Sequence, residues 1–324
     1  MLERPPLRAG ARRYYFQSTV PNDQATSGSL EPVDISVLIP VYNNATTLDE
    51  LIDRLLRVFE ALAVSVEFIF VDDGSQDDSL AILQRRAAAD GRIRPFALTR
   101  NFGGQAASAA ACDQARGSRV VHIDADLENF PEDIPRLLEH MDRGHDIVCG
   151  YRENRQDPWL TRRLPSSLIN IYVRRQTGTS IRDVGCGLRA FDARLIRDLA
   201  SEGEARRLLT PVLLRRARSI VQVPVRHQPK VGRGGHSFRS LLGIAIDYYM
   251  LTAGRPFLLT GLASAGAIVV GAVVLLLGWG MPGLLLVGAG AIGAVTSLVG
   301  EYAQRIYHLA QGTPFYQLRD IDES

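Results

Sequence analysis

Between residues 35 and 115 one pattern returns three times: a short apolar run, a cluster of polar residues, and then an amphipathic segment. Ile35-Ser36-Val37-Leu38-Ile39-Pro40-Val41 leads through Tyr42-Asn43-Asn44 into Thr47–Leu62. Val66–Val71 leads through Asp72-Asp73-Gly74-Ser75 into Leu80–Ala89. Phe96-Ala97-Leu98 leads through Arg100-Asn101-Phe102-Gly103-Gly104 into an Ala-rich helix ending at Ala115. Strands that alternate with helices predict an α/β domain, with a mostly parallel sheet covered on both faces and a ligand site beyond the carboxyl ends of the strands. The polar clusters all fall at that edge.

A fourth apolar run, Val120-Val121-His122-Ile123, ends in Asp124-Ala125-Asp126. Two carboxylates one residue apart at a strand end suit a hard divalent cation, which prefers oxygen ligands and bridges phosphate oxygens. Alone, such a pair equally decorates a solvated turn. Its neighbours argue for a site: Tyr42, Asn43, Asp72, Asp73, Arg100, Asn101, Asp124 and Asp126 all follow predicted strands, so one crevice is expected to collect them. Asn44 and Ser75 read as helix caps. No G-x-G-x-x-G follows the first strand and no P-loop is present, which argues against a dinucleotide cofactor and against that mode of phosphate binding.

The 37 Lys+Arg against 35 Asp+Glu argue against a general nucleic-acid binder, whose footprint is strongly basic. Cys112, Cys149 and Cys186 are widely separated, lack metal-site spacing and lie in or beside apolar segments, so reduced, packed thiols are expected. The first 32 residues mix Arg, Pro, Ser and Gly without the apolar core of a signal peptide. They read as a flexible tail, whose Arg12, Arg13, Tyr14, Tyr15 and Phe16 are the candidates for touching a membrane surface or the folded body.

Between Arg255 and Glu301 the chain carries no charged residue. A helix needs about 20 residues to cross the hydrocarbon core, so this length suits two crossings. Pro282-Gly283 favours a turn and Trp279 an interface, which sets the spans near Pro256–Gly278 and Leu284–Tyr302. Arg239 and Arg255 precede the first span and Arg305 and Arg319 follow the second, so the positive-inside rule puts both flanks, and the α/β domain, in the cytoplasm. Phe238–Ala253 has apolar residues at helical spacing, suited to a helix in the interface or packed on the soluble domain. The expected organisation is a tail (1–32), an α/β domain (33–237), an interfacial helix (238–254), a transmembrane hairpin (255–304) and a cytosolic tail (305–324).

At these residues the sequence resembles a known family. Ile39-Pro40-Val41-Tyr42-Asn43, Val71-Asp72-Asp73-Gly74-Ser75, Arg100-Asn101-Phe102-Gly103-Gly104 and Asp124-Ala125-Asp126-Leu127 are similar, in order and spacing, to the nucleotide-binding segments of family 2 glycosyltransferases with the GT-A fold. Asp183-Val184-Gly185-Cys186-Gly187-Leu188-Arg189-Ala190-Phe191, the basic stretch Arg226–Arg239, and Gly300-Glu301-Tyr302 with Arg305-Ile306-Tyr307 resemble the polyprenyl-phosphate branch, which includes dolichyl-phosphate mannose synthases and bacterial undecaprenyl-phosphate glucosyltransferases. The resemblance runs from about Asp34 to Phe315.

It implies roles. Pro40, Tyr42, Asn43, Asp72, Asp73, Arg100, Asn101, Gly103 and Asp124 would surround the nucleotide sugar, with Asp72 accepting from the base. Asp124 and Asp126 would hold Mg2+ or Mn2+ against the diphosphate. Asp183 would face the acceptor as a candidate general base, but a phosphate monoester with second pKa about 6 is already largely dianionic at neutral pH, so positioning is the alternative. Arg189, Arg226, Lys230, Arg233 and Arg239 would clamp the lipid phosphate, Arg189 also acting in catalysis with Asp126 and Asp183. The chain departs from the family at Glu128-Asn129-Phe130-Pro131-Glu132, where a Gln-Asp-Pro-Pro-Glu-like run is usual, so position 129 lacks its acid.

The implied activity is inverting, metal-dependent transfer of a sugar from a nucleotide sugar to undecaprenyl or decaprenyl phosphate, on the cytoplasmic (inner) membrane, by a possible homo-oligomer. A UDP-hexose or UDP-N-acetylhexosamine is the first expectation for the donor and GDP-mannose the second. A polysaccharide synthase would show Gln-x-x-Arg-Trp, which is absent. A non-catalytic partner that binds sugar nucleotide is the remaining alternative, against which the three carboxylates argue.

Overall fold

The computed structural model describes residues 32–152, 178–197, 209–228 and 316–319, with isolated positions at 171–175 and 288–306. The tail, the interfacial helix, the first expected span, Lys230, Arg233 and Arg239 lie outside the described residues. Among the described residues, no helix is long and apolar enough to cross a membrane.

The three expected strand–helix repeats are present: β1 (Ile35–Val41), α1 (Ala45–Leu62), β2 (Val66–Asp72), α2 (Ser79–Ala89), β3 (Ile93–Leu98) and α3 (Gly104–Gln114). After β4 (Arg119–His122), Pro131 opens a short 3-10 turn leading into α4 (Ile134–Asp142). β5 (Ile147–Arg152), β6 (Arg189–Asp192), α5 (Leu209–Arg216), β7 (Ile220–Val225) and β8 (Leu318–Arg319) follow. They join one eight-stranded sheet in the order β7-β5-β6-β4-β1-β2-β3-β8. β4-β1-β2-β3 and β5-β7 pair in parallel, whereas β6 and β8 run antiparallel to their neighbours.

β1 and β2 are almost continuously buried, as befits strands covered on both faces. On one face Val37, Ile39, Phe68, Phe70 and Val121 pack against α1, α2 and α4. α1 meets them with a stripe of Leu48, Leu51, Ile52, Leu55, Val58 and Phe59, spaced at three and four residues. On the other face Leu38, Ile69, Val71 and Val120 pack against α3 and α5. There Ala106, Ala107, Ala110 and Ala111 let α3 approach the sheet closely. Cys112, Cys149 and Cys186 are buried thiols, and burial pushes Cys149 up to about 11 and Cys186 up to about 12.

The expected helix caps are corrected. Asn44 stands at the N-cap of α1, yet its Oδ1 accepts from the Tyr42 amide (3.0 Å) instead of capping the helix. Ser75 precedes α2 by four residues, and its Oγ accepts from the Asn43 amide (2.9 Å). Asn43 Oδ1 accepts in turn from the Gln76 amide (2.8 Å), so these side chains tie the β1–α1 loop to the β2–α2 loop. Asn43 itself has φ 52°, a left-handed conformation that Asn tolerates better than most residues.

Candidate active site

Two adjoining regions form at the carboxyl edge of the sheet. The first is a cavity of about 310 Å3 lined by Tyr42, Asp72, Gly74, Ser75, Arg100 and Asn101, together with Leu80, Ala97–Thr99 and Arg319. Asp72 Oδ2 accepts from the Ser75 amide (3.1 Å), whereas its buried Oδ1 has no partner among the described residues. Burial raises the Asp72 carboxyl above its ordinary range, partly offset by the hydrogen bonds from Ser75. An acceptor oxygen left open in a desolvated pocket is costly unless a ligand donor reaches it.

Asp73 points elsewhere. It accepts from the Phe102 (2.7 Å) and Gly103 (2.9 Å) amides and so fixes the turn that starts α3. Gly74, with φ 68°, lies so close to this turn that a Cβ there would stand 2.7 Å from the Arg100 carbonyl carbon and the Asn101 nitrogen. Arg100 stacks on Phe102, its Cζ 4.1 Å from the ring centroid. Pro40 lies within β1 opposite Val71, and Tyr42 is exposed at the mouth of the cavity.

The second region lies across β1. Asp124 and Asp126 follow β4, two strand spacings, or about 10 Å, from β2. Asp126 Oδ1 accepts from the Glu128 amide (3.1 Å), and the intervening Leu127 is buried with φ 59°. For a bulky side chain that conformation is strained, and such strain is concentrated at ligand-binding sites. Among the described residues no third His, Cys, Asp or Glu completes a metal cluster with the pair. Two carboxylates still suit Mg2+ or Mn2+, which is commonly held by one or two carboxylates plus substrate phosphates and water.

The turn 183–187 closes against Asp124. A Cβ on Gly187 would collide with the Asp124 carboxylate, standing 2.6 Å from its Cγ. His122 holds the turn from below: its Nδ1 lies 2.8 Å from the Gly187 carbonyl and its Nε2 3.0 Å from Ser108 Oγ. Burial lowers the His122 pKa despite the nearby Asp124. The lowered pKa favours the neutral ring, and the carbonyl opposite Nδ1 places a proton on that nitrogen, while the Ser108 hydroxyl also donates to the Gly104 carbonyl (2.9 Å).

Asp183 is buried and receives Nε (2.6 Å) and Nη2 (2.9 Å) of Arg152, from the end of β5. Arg189 is buried in β6 beneath the turn. Its Nη2 donates to the Val184 (3.4 Å) and Cys186 carbonyls, and its Nη1 to Thr210 Oγ1. Arg226 donates to Asp133 through its amide (2.8 Å) and Nε (2.9 Å). Phe130 sits between Arg226 and Arg54, with guanidinium carbons 5.0 and 4.9 Å from its ring centroid, and Arg54 is bidentate to Glu132 (2.8 and 2.6 Å). Gln228 Nε2 donates to the Leu127 carbonyl (2.7 Å) and its amide to the Glu128 carbonyl (3.0 Å). The loop after Asp126 is thus braced from α1 and from the segment following β7.

Arg152, His122, Arg54 and Arg319 were not among the residues expected from sequence. His122 carried one signal, a histidine inside an apolar strand just ahead of the acid pair. The other three are brought in only by the fold.

Residues 36–200 match the family described as Glycosyl transferase family 2. The chain is 33% identical over 308 residues to the undecaprenyl-phosphate 4-deoxy-4-formamido-L-arabinose transferase of Edwardsiella ictaluri, covering 89% of this chain and 94% of that protein. It is 35% identical over 313 residues to the protein of the same name from Pseudomonas paraeruginosa, covering 90% and 91%. Among solved structures, mannosyl-3-phosphoglycerate synthase from Rubrobacter xylanophilus superposes with TM-score 0.52 at 20% identity, covering 69% of this chain and 74% of that one, a likeness of fold.

Proposed function

The chain belongs to glycosyl transferase family 2, and from that premise we propose that it moves a sugar from a nucleoside diphosphate donor to undecaprenyl phosphate at the cytoplasmic face of a membrane. The observation that carries the reading is the contact between the Asp124 carboxylate and Gly187. It sets the acid pair that suits a diphosphate beside the turn that bears Asp183. The names of the relatives favour a polyprenyl phosphate acceptor and 4-deoxy-4-formamido-L-arabinose, ahead of a hexose, as the transferred sugar.

The donor nucleoside lies in the cavity with an N–H of its base donating to Asp72 Oδ1, and its diphosphate extends across β1 toward Asp124 and Asp126. A divalent cation bound by that pair would offset the charge that builds on the departing nucleoside diphosphate. The acceptor phosphate attacks in line from the side of the 183–187 turn, giving inversion. Asp183, neutralised in place by Arg152, orients the acceptor rather than removing a proton from it. Arg189 is a positioning residue whose guanidinium ties the Val184 and Cys186 carbonyls into the shape that Asp124 requires. Positioning and charge neutralisation then supply most of the rate.

The apolar stretch from Arg255 to Glu301 supports two membrane spans that bring the lipid acceptor to the catalytic edge. Within the second of them, the described positions 288, 291, 292, 295, 296, 299, 300 and 302 are helical. In the sequence, Lys230, Arg233 and Arg239 lie between the α/β domain and the first expected span, which suits cations that would meet a lipid phosphate.

Purified full-length protein in detergent, given undecaprenyl phosphate and a panel of UDP-4-deoxy-4-formamido-L-arabinose, UDP-hexoses, UDP-N-acetylhexosamines and GDP-mannose, with or without Mg2+ or Mn2+, tests this reading. Formation of a sugar phospholipid from the formamido-arabinose donor is expected. No sugar-lipid product from any donor would overturn the function, and a product from GDP-mannose alone would overturn the donor assignment.

A further inference from the structure

The outermost strand of the sheet comes from the far end of the chain. β8 pairs antiparallel with β3, Arg319 opposite Ala97 and Leu318 opposite Leu98. The Thr99 amide donates to the Gln317 carbonyl (2.9 Å), and the Tyr316 hydroxyl donates to the Asp113 carboxylate on α3. Leu318 packs with the α3-side core, so Arg319 projects from the opposite face. That is the face bearing Asp72.

The pairing register runs directly from Asp72 to Ala97 and on to Arg319. Residues in register share a face, so an acid and a guanidinium stand two strand spacings, about 10 Å, apart with only the methyl group of Ala97 between them. All three line the same cavity. We propose that Arg319 is a nucleobase-binding residue: the base lies over Ala97, offers an N–H to Asp72, and accepts from the Arg319 guanidinium through a ring carbonyl oxygen. The pairing is chemically complementary, because arginine only donates and an ionised aspartate only accepts. A base with a carbonyl beside an imide N–H meets both demands. The C-terminal segment is then part of the donor site, and its docking on β3 becomes a condition for tight donor binding. The plain alternative is a charged residue guarding an exposed sheet edge, a role that leaves nucleotide affinity untouched.

The inference rests on the reading that this cavity takes the donor nucleoside, and the test separates the two. UDP and uridine binding by the full-length protein are measured by calorimetry and competition for wild type, Arg319→Gln, Arg319→Lys and Asp72→Asn, with donor KM and kcat alongside. Arg319→Gln is expected to weaken UDP about tenfold, about 1.4 kcal/mol, and uridine by a similar factor. Donor KM rises with it, kcat at saturating donor holds, and Arg319→Lys is intermediate. UDP affinity within twofold of wild type in Arg319→Gln, with Asp72→Asn weakened, would overturn the inference alone. A loss for UDP without a loss for uridine would overturn the base contact, as would a loss matched by a lower melting temperature, which marks an undocked strand. Unchanged affinity in both Arg319→Gln and Asp72→Asn would overturn the cavity assignment and this inference with it.

Discussion

Asp183 and Arg152 form a buried bidentate ion pair: the guanidinium meets both carboxylate oxygens, at 2.6 and 2.9 Å, and neither side chain is more than 9% exposed. The pair joins the end of β5 to the turn that touches Asp124, so it fixes the acid proposed to face the acceptor. Removing one partner of such a pair leaves an uncompensated buried charge, at a cost of about 3–5 kcal/mol. Arg152→Ala is therefore expected to lower both melting temperature and kcat/KM, the latter by about a hundredfold. Arg152→Lys recovers part of the stability and little of the activity, because an ammonium cannot serve two oxygens in the fork geometry. Steady-state kinetics of Arg152→Ala, Asp183→Asn and the double variant check the coupling. The double variant should lose far less than the product of the single losses, and multiplicative losses would show that the two residues act independently.

Asp126 contributes little to the core, being only partly buried, and its Oδ1 accepts from the Glu128 amide. Asp126→Ala is expected to reduce transfer by about three orders of magnitude, the scale of several kcal/mol of charge stabilisation, while the folded protein persists. Activity titrated against Mg2+ and Mn2+, with thermal unfolding alongside, measures both halves of this statement. Retained activity would remove Asp126 from the metal site.

Much of the sheet was legible in the chain because its signals are local. Each central strand is a short apolar run closed by a polar cluster, and α1 carries its buried stripe at helical spacing, so element type and the catalytic edge follow from neighbouring residues. The interactions that could not be read span long stretches of sequence. Arg152 meets Asp183 across 31 residues, and Arg226 meets Asp133 across 93. Nothing beside Arg152 or Arg226 announces those partners. β8 was invisible for another reason: two residues held by backbone hydrogen bonds to β3 carry no hydrophobic period. Asn44 and Ser75 have the composition of helix caps, but a hydrogen bond within its own loop claims the Asn44 side chain and a loop-to-loop hydrogen bond claims that of Ser75.

Gly187 sets how closely the 183–187 turn approaches Asp124. A Cβ at this position would stand 2.6 Å from Asp124 Cγ and 3.2 Å from Asn129 Nδ2, so either the turn or the carboxylate must move. A displacement near 1 Å in a reacting constellation costs about a hundredfold in rate. Gly187→Ala is expected to show a loss of that size in kcat, with a moderate fall in stability of about 1–3 kcal/mol for the overpacked turn. Gly91→Ala, where an added Cβ meets nothing within 4 Å, is the control and should leave kinetics and melting unchanged. Equal kinetics for Gly187→Ala and wild type would show that the turn and Asp124 need not touch.

The opposite edge of the sheet gives a pH prediction free of the chemistry. Glu67 is buried in β2, which by itself pushes its carboxyl upward. The Ser36 hydroxyl (2.6 Å), the Arg116 amide (2.8 Å) and the Arg116 and Arg94 guanidinium groups (2.7 and 2.5 Å) outweigh that effect, and the net shift lies below the ordinary 4.5. A carboxyl depressed on folding contributes stability that is present above its unfolded value and is lost as pH falls through its folded one. Asp72 and Asp73 are shifted upward, mainly by burial, and contribute with the opposite sign, so the total curve does not isolate Glu67. The difference between wild type and Glu67→Gln does. At about pH 7 the variant should be less stable by about 3 kcal/mol, since its arginines lose their buried counter-charge. The gap should narrow steadily as pH falls below the ordinary 4.5 of a free glutamate. Chemical denaturation of both proteins across this range measures the gap, and a difference that stayed constant or grew on acidification would show that the Glu67 carboxylate is not stabilised by folding.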